Sequence, residues 1–249
     1  MLPYIVGLGL ALMLLERVVP DQVLPRVKGW WWRVALANAA QLSIVVVAGV
    51  TWDRWLGRAS LFSVGERGWA PPLEGLLGYF VSTFVYYWWH RARHDVNFLW
   101  LTCHQLHHSP QRIEAITSFY KRPLELVANS VLSGALSYGL LGLTPGGAAW
   151  VTFYSAASEF FYHLNVRTPR WLGFFIQRPE MHRVHHARGV HYGNFADLPV
   201  WDLLFGTYDN PPAFDGRCGF KPEREARALS MLAFENVNGP YVGRRRQGP

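Results

Sequence analysis

The stretch Leu126–Ser158, LVANSVLSGALSYGLLGLTPGGAAWVTFYSAAS, contains no charged residue. It is too long for one bilayer crossing, which takes about 20 apolar residues, and a little short for two. Its middle, Thr144–Gly147, reads TPGG, a run that breaks regular structure. The stretch is therefore expected to be a helical hairpin that enters an apolar layer and returns. A single crossing would put its two flanks on opposite faces, whereas a hairpin leaves them on the same face. The flanks hold every histidine in the chain, ten between residues 90 and 191.

Three further uncharged runs precede it: residues 1–15, Val34–Trp52 and Gly75–Trp89. The second is long enough to span a bilayer alone, while the first and third need flanking residues to reach that length. Half of the 249 residues are hydrophobic and 16% are charged. That is well below the roughly 25% usual in soluble domains, and the apolar residues lie in blocks, as a membrane protein requires. The first run lacks a basic leader and a small-residue cleavage site, so it reads as an anchor, not a removed signal. Lys and Arg cluster after the first run, after the third and after the hairpin. By the preference of these residues for the cytoplasmic side, the N-terminus lies outside and the histidine regions inside. The net charge of +7 forms no single basic patch interleaved with aromatics, which argues against nucleic acid as a partner. Cys103 and Cys218 read as free thiols on a cytoplasmic face.

The histidines come in patterns. His90 and His94 form H-x-x-x-H, His104, His107 and His108 form H-x-x-H-H, and His182, His185 and His186 repeat H-x-x-H-H. His163 stands alone in FYHLNV and His191 opens HYGNF. Helical spacing i, i+3, i+4 places side chains on one face, so each motif is expected to point its imidazoles the same way. Converging neutral imidazoles make a metal site for Zn, Cu, Fe or Ni. Eight to ten ligands exceed one ion and suggest two. H-E-x-x-H is absent, which disfavours a zinc protease, but spacing leaves iron and zinc open.

Taken in order, H-x-x-x-H, H-x-x-H-H, FYHLN, and H-x-x-H-H followed by NFADLPVWDLLFGTY resemble the fatty acid hydroxylase/sterol desaturase superfamily of integral-membrane enzymes. The resemblance covers residues 73–211, leaving 1–72 as N-terminal membrane segments and 212–249 as a polar C-terminal tail. It implies an all-α integral membrane protein: two spans, a third span and the hairpin, with a cytoplasmic histidine-rich helical metal domain. It further implies a centre of two Fe ions, with zinc able to take their place in purified protein. Such a centre uses O2 to hydroxylate a lipid C–H bond. Lipid desaturation, carotenoid hydroxylation and non-enzymatic metal handling are the rivals. Carried over by position, His90, His94, His104, His107, His108, His182, His185 and His186 are the core ligands, joined by His163 and His191. Asn165 and Asn194 are expected behind the ligands, and Asp202 is expected to brace the end of the site. No dinucleotide fingerprint, haem-attachment motif or ferredoxin cysteine set occurs, so electrons are expected from a ferredoxin, cytochrome or reductase.

Overall fold

The computed structural model describes residues 1–56, 60–190 and 192–239. Among them the protein is helical without strands. The sole β-type pairing there is an isolated antiparallel bridge between Ala187 and Cys218. The helices are α1 (Leu2–Val18), α2 (Trp30–Leu56), α3 (Pro71–Asp95), α4 (Asn97–Leu99), α5 (Pro123–Gly134), α6 (Pro145–His163), α7 (Pro179–His185), α8 (Val200–Phe205), α9 (Pro222–Glu225) and α10 (Ala228–Leu232). Proline opens the first turn of α1, α3, α5, α6, α7 and α9. There the missing N–H costs nothing, because the first helical amides have no intrahelical partner.

The hairpin forms, with limits wider than the uncharged run. α5 begins at Pro123 and runs on through a π-helical stretch, Ala135–Leu140. The chain then reverses, and α6 starts with Thr144 as N-cap, its hydroxyl accepting from the Gly147 amide at 3.0 Å. α6 packs along α3, flanked by α1, while α2 lies against α5. A side-chain carbon on Gly75 would overlap Trp150, and one on Gly78 would meet Leu143 and Val151 at 2.7 Å. Small residues at these positions let the two helices approach closely.

Among the described residues α2 is the one helix both long and apolar enough to cross a membrane, with mean hydropathy 1.8. Hardly any of it is buried inside the protein. Apolar side chains also lie exposed along α1 (Leu10, Leu14), α3 (Phe80, Phe84) and α5 (Val127, Val131). Exposed apolar surface on this scale marks contact with lipid or a partner.

The segment after Pro211 does not trail away as a polar tail. Here α9 and α10 are two short helices docked on the body. Met231 and Val237 are buried in a core with Trp30, Val34, Trp100, Leu106, Tyr120 and Phe220. Glu225 is buried and pairs with Arg33 at 3.1 Å. The apolar Met231 and Val237, scattered among charges, supply the driving force. Arg244–Arg246 lie outside the described residues.

Candidate metal centre

Nine of the ten histidines meet at the C-terminal ends of α3 and α6, on the side where α7 packs. His191 lies outside the described residues. The nine form two groups: His90, His94, His104, His108 and His185 in one, and His107, His163, His182 and His186 in the other. Within each group the ligating nitrogens lie within 4.8 Å of one another. The groups abut through the stacked rings of His108 and His186, whose centroids are 4.2 Å apart.

The H-x-x-H-H motifs do not point all three imidazoles one way. In each, the i and i+4 histidines enter one group and the i+3 histidine enters the other. Thus His104 and His108 join the first group while His107 joins the second; His182 and His186 join the second while His185 joins the first. A helix turns by about 100° per residue, so i+4 falls about 40° to one side of i and i+3 about 60° to the other. The motif therefore feeds two adjacent points instead of one.

Several tautomers are fixed by what the rings touch. His90 Nδ1 lies 2.8 Å from the Phe195 carbonyl, His163 Nδ1 2.8 Å from the Glu159 carbonyl, and His185 Nδ1 2.7 Å from the Gly193 carbonyl. A carbonyl only accepts, so each Nδ1 donates and each Nε2 carries a bare lone pair. His104 Nδ1 is held in the same way by the Glu125 carboxylate at 3.2 Å. Arg93 forms a buried ion pair with Glu125.

These lone pairs converge. His104 Nε2 and His108 Nε2 are 3.1 Å apart, and His182 Nε2 lies 3.1 Å from both His163 Nε2 and His186 Nε2. His90 Nε2 is buried with no hydrogen-bond partner. An ion about 2.1 Å from each nitrogen sets neighbours at right angles about 3 Å apart, so the observed spacing fits a shared cation. Protonation does not compete. Burial, followed by Arg93 for His104 and by neighbouring imidazoles for the others, holds His104, His107, His108, His182 and His186 well below the usual histidine range. Neutral imidazole is the form that binds metal.

The polar residues expected behind the ligands hold the backbone around them. Asp202, buried, accepts from the amides of Phe195 and Ala196 at 2.9 and 3.0 Å and from the Thr207 hydroxyl at 2.6 Å. It thereby fixes the loop whose Phe195 carbonyl orients His90. Asn194 sits at φ 51°, after Gly193 at φ 90°. Its side chain donates to the Met181 and Asp209 carbonyls at 2.9 and 2.8 Å and accepts from the Asp209 amide. Asn tolerates this left-handed conformation, which aims the carbonyls on either side at His185 and His90. Asn165 accepts from Arg183 at 3.0 Å and from the Gln22 amide at 3.1 Å, tying α7 to the loop after α6. Glu125 and Arg93 were not singled out from the sequence. Their signal was a carboxylate and a guanidinium at the margins of apolar segments.

A cavity of about 700 Å³ opens onto the centre. Its walls come from α1, α2, α5 and α6, and His90, His104, His107 and His182 line its inner end.

No solved structure matches the chain significantly. It is 29% identical over 145 residues to human alkylglycerol monooxygenase, covering 57% of this chain and 32% of that protein. It is 31% identical over 149 residues to the ornithine lipid hydroxylase OlsE of Rhizobium tropici, covering 58% of this chain and 44% of that one. It is also 31% identical over 141 residues to a very-long-chain aldehyde decarbonylase of Oryza sativa subsp. indica, covering 51% and 22%. The chain thus spans less than half the length of these curated relatives. The first two are named a monooxygenase and a hydroxylase, which are oxidoreductases. The sequence model of the family described as fatty acid hydroxylase matches residues 75–207, more than half of the chain and every described histidine. The chain belongs to the fatty acid hydroxylase family.

Proposed function

We propose that the protein is an integral-membrane oxygenase that hydroxylates a C–H bond of a lipid with O2 and external electrons, at two iron ions. The observation that carries the proposal is the pair of abutting histidine groups with converging nitrogens at the end of an apolar cavity. His90, His94, His104, His108 and His185 hold one ion; His107, His163, His182 and His186 hold the other, with His191 a further ligand. The bound irons supply O2 activation and oxidation of an unpolarised C–H bond, chemistry that no acid or base side chain performs. The protein's own task is positioning. Carbonyls of Glu159, Gly193 and Phe195 and the carboxylate of Glu125 keep ring nitrogens aimed inward. Asp202 and Asn194 hold the loop that presents two of those carbonyls. The apolar walls exclude water, which limits side reactions.

Four apolar segments embed the chain: α1, α2, α3 and the α5–α6 hairpin, with the centre on the cytoplasmic face. α2 supports the membrane reading by its length and hydropathy, and the distribution of Lys and Arg supports the orientation. No motif for binding a redox cofactor other than the irons occurs, so the electrons come from a ferredoxin, cytochrome or reductase.

The test is metal content per chain in detergent-purified protein, beside His185→Ala and His186→Ala. About two irons are expected in the parent, with each variant, its substitution falling in a different group, losing chiefly one. Zinc alone, or no metal, in protein expressed with iron available would sink the di-iron reading. A search for lipid products containing one extra oxygen, with O2 and a reductant supplied, completes it.

A further inference from the structure

The cavity changes character along its length. Far from the histidines its walls are apolar, with Leu2, Trp52 and Pro145 at that end of the helices. Near the histidines the wall carries two carboxylates, Glu159 and Asp197, and two cations, Arg93 and Lys121. Both cations are already engaged. Arg93 is paired with Glu125, and Lys121 Nζ bridges both Glu159 oxygens at 2.7 and 2.6 Å.

Asp197 is less committed. Tyr79 donates to its Oδ2 over a long 3.4 Å while lying 2.6 Å from the Ser158 hydroxyl, and Tyr162 also hydrogen-bonds the carboxyl, which leaves two of its four acceptor positions. Acceptor capacity therefore remains on a carboxyl that faces the cavity. Burial and then the nearby Glu159 push its pKa up to about 7, so at neutral pH it both donates and accepts. The subsite also adjoins the metal centre: the ring of Tyr162, beside Asp197 on this wall, packs 4.3 Å from the ring of His182.

We propose that Asp197, braced by Tyr79 and set beside the Lys121–Glu159 pair, is a head-group subsite for the hydroxyl of a neutral lipid alcohol. The head then sits at the histidines and the tail runs toward Trp52 and Pro145. That the occupant is a substrate rests on the oxygenase reading; that it binds in this orientation does not. A carboxylate or phosphate head would meet two carboxylates and no unengaged cation, a desolvated like-charge contact that costs affinity. An ammonium head would lack a full opposing charge, because Lys121 neutralises Glu159 and Asp197 is only partly ionised at neutral pH.

The test is competition binding to the full-length protein in detergent, with hexadecanol, palmitic acid and hexadecylamine displacing a bromine-tagged C16 alcohol. Bromine quenches tryptophan fluorescence, and Trp52 lines the cavity. Hexadecanol is expected to compete at about one tenth of the concentration needed for the acid or the amine, since a site built to hydrogen-bond a group rejects analogues that mismatch it. Asp197→Asn should shrink that preference to about threefold or less. Glu159→Gln, which frees the Lys121 ammonium, should shift it toward palmitic acid. Equal or tighter binding of the acid or the amine by the parent protein overturns the proposal. So does an alcohol preference untouched in both variants. Binding is read without turnover: a preserved preference with no oxidised product would count against the oxygenase reading and leave the subsite standing.

Discussion

Glu125 shows how one side chain can govern a ligand without touching an ion. It accepts from His104 Nδ1 and is held by Arg93, so the imidazole presents its other nitrogen to the centre. Glu125→Gln keeps the shape and removes the charge; metal affinity should fall about tenfold, read by chelator competition. The residue escaped notice in the sequence because it lies one position before the uncharged run that begins at Leu126. A carboxylate at the margin of such a run reads as a boundary until a partner is seen. The clustering of eight of the histidines was legible, because their spacing is a local property of a helix; His163, which has no helical partner, came only from the resemblance. Their division into two groups was not drawn, although the same helical angles contain it. At this scale acid also has a defined effect. The centre's histidines with lowered pKa stay neutral when folded but take protons near pH 6.5 once unfolded. Their contribution to stability is thus present above about pH 6.5 and lost as pH falls below it. The Tm of metal-free protein should therefore drop between pH 7 and 5. A flat profile would contradict the buried, neutral state.

The element that makes the centre possible is the hairpin of α5 and α6 against α3. Its reversal near Thr144–Gly147 could be read from Pro and Gly. The π-helical stretches Trp100–His104 and Ala135–Leu140 could not. A π turn is a one-residue insertion accommodated by tertiary packing, and nothing in local propensity marks it. Close approach of α3 and α6 depends on glycine at 75 and 78. Gly75→Leu should lower stability by at least about 1–3 kcal/mol, because Trp150 occupies the space the side chain needs. Thermal unfolding in detergent checks this. Gly139, where an added carbon meets nothing within 4 Å, supplies the control: Gly139→Ala should change Tm little.

At the scale of the molecule, the cavity's polarity makes a prediction about products. With the head at Asp197 and the tail among α1, α2 and α5, oxygen should arrive on carbons near the head group. Tandem mass spectrometry of the product locates it, and oxidation near the tail end would reverse the proposed orientation. The all-helical architecture was legible in the pattern, and the one described helix long and apolar enough to cross a membrane, α2, contains the uncharged run Val34–Trp52. The docking of α9 and α10 was not, because two buried residues, Met231 and Val237, sit in an otherwise polar stretch.

The interleaving of the two groups has a consequence for how the protein is made. Each group takes nitrogens from before the hairpin and after it: His185 completes a set begun at His90, and His107 waits for His163, His182 and His186. A nascent chain stopped inside the hairpin presents neither set whole, and an arriving ion finds no finished cage. On the proposed di-iron reading, metal uptake would then be a late event in biogenesis, a sign that synthesis has passed residue 186 and that both arms have come home.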